Sequence, residues 1–126
     1  MAEPLRIQLS RKKGWRMPVG ALKVDRSTRW GNPYALRYYQ FAHADGTPAA
    51  WNEREARTMA LRDFDAALYV GTLKVSIEDV QRELRGKDLA CWCKLCPKHA
   101  AGKRIGVECS RCALCHADVL LKVANG

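Results

Sequence analysis

No run of about 18 apolar residues occurs in the chain, so nothing in it reads as a membrane-spanning helix. The opening MAEPLRIQLSRKKG also lacks the apolar stretch of an export signal. Both absences lead to the expectation of a cytoplasmic protein with no membrane partner. Glycine and proline are sparse, at 9 and 5 of 126 residues, which excludes collagen-like and low-complexity architectures. With 48% apolar and 28% charged residues, the chain has the composition of a folded globular protein. Its length supports one modest core and not two, so residues 1–126 are expected to form a single domain.

Acidic residues are also in short supply, at 13 against 22 Lys and Arg, which leaves a formal charge of +9. The imbalance is not uniform. Residues 1–30 hold eight basic and two acidic side chains, residues 31–84 six and eight, and residues 85–126 eight and three. Two basic ends that meet in the fold would make one positive field suited to phosphate, either a nucleotide or a nucleic-acid backbone. Zinc-finger ββα spacing, a helix-turn-helix signature and a paired aromatic RNA-binding motif are all missing, which argues against direct reading of duplex sequence. A solvated basic surface is the plainer alternative.

The periodicities give an element order. Leu5, Ile7 and Leu9 alternate with Arg6, Gln8 and Ser10, as in a half-buried strand, and residues 19–24 can form a second strand. RSTRWGNP, residues 26–33, reads as a turn or loop. Thr47 before Pro48 makes an N-cap signal for a helix whose apolar stripe is Ala56, Met59, Ala60, Phe64, Ala67 and Leu68, ending at Gly71. A second helix is expected to start at Ser76, with Asp79 as its capping-box partner, and to stop at Gly86. Residues 88–92 read as a short strand. The run VLLKVA is ambiguous, with a helix starting near His116 favoured. The expected class is a small α/β or α+β domain with a short sheet, flanking helices and a zinc-binding loop.

All six cysteines lie between positions 91 and 115, at Cys91, Cys93, Cys96, Cys109, Cys112 and Cys115. With no export signal, such a cluster points to metal sooner than to disulfides. Two tetrahedral sets compete. In one, Cys96 and His99 form CxxH, Cys109 and Cys112 form CxxC, and the short loop AAGKRIGVE folds back to close one zinc. In the other, Cys93, Cys96, Cys112 and Cys115 form two CxxC knuckles. Buried reduced thiols are the bland reading, and Cys91 alone packs readily as a small apolar residue.

Taken together, RWGNPY (29–34), LRGKDLACWC (84–93) and CHADVLLKVAN (115–125) resemble a bacterial and bacteriophage family catalogued as domain of unknown function 4326. The resemblance covers almost the whole chain. In that family only a short loop separates the CWC and CHxD elements, whereas here residues 94–114 intervene and carry Cys96, His99, Cys109 and Cys112. The resemblance therefore implies a Cys/His-rich insertion at 94–114 with one zinc of its own. It also implies a shared core of Cys91, Cys93, Cys115, His116 and Asp118 with Gly31, Asn32 and Pro33. It favours the first metal set and supplies no substrate.

Candidate ligand contacts come from the RWGNPY segment: Arg29 for a phosphate, Asn32 for a base or sugar, and Trp30 and Tyr34 for stacking. Cys115, His116 and Asp118 supply a thiol, an imidazole and a carboxylate for nucleophilic or acid–base chemistry near a helix start. Each has a duller role: surface charge for Arg29, turn chemistry for Asn32, core packing for the aromatics, and metal ligation or helix-end bonding for His116. Two function classes stay open. One is a zinc protein that binds or acts on a nucleotide or nucleic acid at a glycosidic or phosphoryl group. The other is a non-enzymatic zinc-stabilised module that binds nucleic acid or a protein partner.

Overall fold

The computed structural model describes residues 3–36, 39 and 53–126. Its described elements are β1 (Leu5–Gln8), β2 (Leu22–Lys23), α1 (Glu53–Val70), α2 (Ile77–Leu84), β3 (Leu89–Cys91), a 3-10 turn (Pro97–His99), β4 (Lys103–Arg104) and α3 (His116–Ala124). The four strands form one mixed sheet in the order β2-β3-β1-β4. β3 runs parallel to both β1 and β2, while β4 adds antiparallel to the free edge of β1. Parallel neighbours require a crossover, which α1 and α2 provide between β2 and β3. The architecture is a small α+β domain.

Strand alternation explains the two sides of the sheet. Along β3, Leu89 and Cys91 join the large core made with Phe64, Leu68, Val80, Leu84, Leu120 and Leu121, whereas Ala90 joins Ile7, Leu9 and Ala21 on the opposite side. The register pairs Arg6 with Leu89 and Gln8 with Cys91, so these two polar residues of β1 share the side that carries α3. Arg6 is consequently buried, not solvent-facing, with 1% of its surface exposed. Alternation alone assigned that side to water. α3 covers it instead, and Asp118 on α3 supplies the counter-charge 2.8 Å away.

The helices follow their stripes. Ala56, Ala60, Phe64, Ala67 and Leu68 of α1 are buried, with Met59 partly so, and the Gly71 N–H bonds the Ala67 carbonyl just beyond the last turn. The expected start of this helix at Thr47 and Pro48 lies outside the described residues. α2 has the complete capping box: the Asp79 N–H donates to Ser76 Oγ and the Ser76 N–H donates to Asp79 Oδ2, each at 3.0 Å. Val80 and Leu84 are fully buried beneath it. α3 begins at His116 with Cys115 as its N-cap. Among the described residues no helix is long and apolar enough to cross a membrane.

Candidate metal centre and ligand cavity

The segment 94–114 is fastened to the sheet before it makes any site. Gln8 accepts a hydrogen bond from the Leu95 N–H at 2.8 Å, and the Lys94 carbonyl accepts from the Ala113 N–H at 2.8 Å, which brings the two ends of the segment together. Between them, the 3-10 turn at Pro97–His99 carries the imidazole back over Cys96. Gly102 allows the chain to turn into β4. Its φ is +136°, and a Cβ there would sit 2.8 Å from the Leu5 side chain.

Cys96, His99, Cys109 and Cys112 meet in this segment, with all four ligand atoms within 4.8 Å of one another. The Cys96–Cys109 sulfur separation is 3.8 Å, and His99 Nδ1 lies 3.3 Å from the sulfur of Cys96 and 3.5 Å from that of Cys112. A tetrahedral zinc with ordinary bond lengths places sulfurs about 3.8 Å apart and sulfur about 3.6 Å from nitrogen. The four side chains therefore have the spacing of a metal cage and can hold an ion. Backbone groups support it. The N–H groups of Arg111 and Cys112 point at Cys109 and hold its thiol down to about 6, and the Cys96 N–H donates to Cys112 Sγ. Arg54 donates to the carbonyls of Ser110 and Cys112, setting a cation beside a cage that three thiolates, one neutral imidazole and Zn²⁺ would leave at −1.

The remaining three cysteines form a separate cluster. Cys91 ends β3, Cys93 lies two residues on, and Cys115 caps α3; their sulfurs are all within 4.8 Å of one another. Cys93 and Cys115 thus group with Cys91 and not with Cys96 and Cys112, and the ligand set with two CxxC knuckles is not assembled. Hydrogen bonds from Cys115 and Cys91 hold Cys93 well below the usual thiol range, with Arg6 and Arg57 adding to the effect. Hydrogen bonds with Cys91 and Cys93, together with burial, push Cys115 well above it.

These cysteines line a cavity of about 400 Å³ whose other walls include Asp25, Arg26, Asn32, Tyr34, Arg57, Trp92, Lys94 and His116. Asn32 braces the wall: its amide donates to the Ala60 carbonyl of α1 at 3.3 Å, and its Oδ1 accepts from the Tyr34 N–H at 2.8 Å. Gly31 lets this loop fold onto residues 25 and 26, because a Cβ there would lie 2.6 Å from Arg26 Cα. His116 is buried against the edge of Phe64, and its Nε2 lies 2.6 Å from the Val24 carbonyl. A carbonyl can only accept, so Nε2 carries the proton, and burial keeps the ring's pKa low and the imidazole neutral. Its free Nδ1 is directed to Cys115 Sγ, 3.7 Å away.

Three expected members stand elsewhere. Arg29 pairs with Glu83 over the Trp30 ring, and it lines a neighbouring cavity of about 490 Å³ to which Arg26 and Asn32 also contribute. Trp30 is buried in the main core. Asp118 is held by Arg6 at 2.8 Å and by Lys103 at 3.1 Å, and it does not line the cavity. The cavity in turn contains residues that no sequence pattern singled out. Asp25, kept ionised below the usual carboxylate range despite burial by hydrogen bonds from Ser27 and Trp92, orients the Trp92 ring through Nε1 at 2.8 Å. Arg26 and Lys94 bring cations without an ion pair among the described residues.

The family model described as Domain of unknown function (DUF4326) matches residues 7–126, and the chain belongs to that family. No curated protein and no solved structure matches it.

Proposed function

We propose that this DUF4326 member is a zinc-stabilised protein that binds a nucleotide, or the nucleotide unit of a nucleic acid, in the cavity between the RWGNPY loop, α1 and the cluster of Cys91, Cys93 and Cys115. One observation carries the reading: Arg26, Arg57 and Lys94 border a cavity that also offers the Tyr34 and Trp92 rings and the Asp25 carboxylate. Phosphate needs cations, and a base needs aromatic surface with a few fixed polar groups. The zinc of this reading sits in Cys96, His99, Cys109 and Cys112, where it fixes the position of Lys94 and of the cavity rim.

Arg26 borders both cavities, so it is the cation to remove. Arg26→Ala is expected to weaken nucleotide binding, measured by calorimetry, by the value of one charge-assisted hydrogen bond, about 1.5–3 kcal/mol or roughly ten- to a hundred-fold. The affinity of the parent should fall steeply with salt. Absence of binding to every nucleotide and oligonucleotide at low salt would remove this function. Turnover at a glycosidic or phosphoryl bond is a narrower reading, supported by the place of Cys93 and His116 on the cavity wall. It draws on those two groups and not on a Cys115-His116-Asp118 relay, since Asp118 is engaged by Arg6 and Lys103.

A further inference from the structure

Three thiols need no common focus if they only fill space. Cys91, Cys93 and Cys115 come from a strand end, the following turn and a helix cap, yet their sulfurs converge within 4.8 Å. The Cys91–Cys93 separation of 3.9 Å is close to the roughly 3.8 Å between two sulfurs on one tetrahedral zinc. Cys115 makes no capping hydrogen bond to the backbone of α3, and its sulfur meets the cluster on one side and His116 Nδ1, 3.7 Å away, on the other. Arg57 Nη1 lies 3.8 Å from Cys93 Sγ, so a cation stands beside the negative charge that three thiolates would leave on a divalent ion.

We propose that Cys91, Cys93 and Cys115 hold a second zinc ion, distinct from the one in the Cys96 cage, with its fourth coordination position open to the cavity. All three cysteines line that cavity, so the face of the ion away from the thiolates meets its interior. His116 is the nearest alternative fourth ligand, but its nitrogen falls outside the set of ligand atoms that lie within 4.8 Å of one another. Its other nitrogen is committed to the Val24 carbonyl. Three protein ligands and one exchangeable position are the arrangement of zinc sites that activate a bound water or receive a ligand atom, whereas structural sites are closed by four. The ion follows from the cysteine geometry alone. Only the identity of what reaches its open position, a donor atom of the bound nucleotide or a water beside it, rests on the nucleotide reading.

Protein purified under reducing conditions should contain two equivalents of zinc by elemental analysis. Cys93→Ser and Cys109→Ser should each contain one, and the double variant none. Cys93 is the most accessible of the three thiols, which makes its replacement the mildest. The open position is read in the cobalt-substituted protein. Adding 2-mercaptoethanol or azide should shift the visible bands of the parent and of Cys109→Ser, and leave those of Cys93→Ser unchanged. His116→Gln, whose amide can still donate to the Val24 carbonyl, should keep both equivalents. One equivalent in the parent, a second metal that survives Cys93→Ser, a Cys91–Cys93 disulfide seen as a loss of two hydrogens by mass, or bands indifferent to added donors would each overturn the proposal. Loss of the second equivalent in His116→Gln would also do so, by making the site closed. None of these measurements uses a nucleotide, so the metal site and the nucleotide reading fail separately.

Discussion

Arg6 and Asp118 show how a local sequence pattern is read correctly and then assigned to the wrong surroundings. Alternation in LRIQLS places Arg6 and Gln8 on one side of β1, and they do share a side, but that side faces α3 and the cysteine segment. The partner of Arg6 is 112 positions away, beyond the reach of any periodicity. For the same reason Asp118, adjacent to Cys115 and His116 in the sequence, looked like a member of their chemistry. Its carboxylate instead neutralises Arg6, whose side chain is 1% exposed, and Lys103, at 8%. Asp118→Ala should lower the free energy of unfolding in urea by about 3–5 kcal/mol, because it strands buried positive charge. Adding Arg6→Met to that variant should cost less than the two single changes combined, since contacting groups are not additive. Folded Asp118→Asn should bind nucleotide like the parent, and weakened binding at unchanged stability would return Asp118 to the cavity.

Elements set by their own caps and stripes were the most legible. Ser76 and Asp79 define the start of α2 within four residues of sequence, and the structure has both bonds of the box. For α3 the apolar run leaves helix and strand open, with a helix from near His116 favoured, and the helix is what forms. β4 was not, because Lys103 and Arg104 carry no strand propensity of note and pair only because the edge of β1 is open to them. The cap gives a prediction at this scale: Ser76→Ala should destabilise the protein by about 1 kcal/mol, read from the urea midpoint at an unchanged slope. Hydrogen bonds from the Ser76 backbone, from Arg82 and from the Ser76 hydroxyl hold the Asp79 carboxyl below its ordinary value. A depressed carboxylate stabilises the fold above its unfolded pKa, and that contribution is lost as pH falls through the folded one. Asp79→Asn should therefore narrow the stability gap to the parent as the pH is taken from 7 toward 3. A gap that stays constant would mean that Asp79 contributes no charge-dependent part of the cap.

Across the whole molecule, the metal cage and the sheet are mechanically one object, because the segment that carries Cys96, His99, Cys109 and Cys112 also supplies β4. Spacing leaves two ligand groupings open and the family resemblance favours the one that assembles, whereas the coupling is not legible in the sequence, since it depends on where residues 103 and 104 land. Lys103 adds the second link: its chain pairs with β1 while its ammonium reaches Asp118 on α3. With zinc bound there as proposed, removing the ion would leave three close thiols and an imidazole with nothing to hold them together, so the segment would gain freedom and its grip on the β1 edge would loosen. The large core beneath α2 and α3 does not contain those ligands and should hold. Hydrogen exchange of Cys109→Ser against the parent should therefore show faster exchange over residues 94–114 and at the β1 amide facing β4, with α2 and α3 protected as before. Chelation also strips the ion proposed at Cys91, Cys93 and Cys115, and should add faster exchange at the start of α3, which Cys115 caps. Exchange that rises everywhere would make the cage essential to the entire fold, and exchange that rises nowhere would mean that β4 is held by the sheet alone.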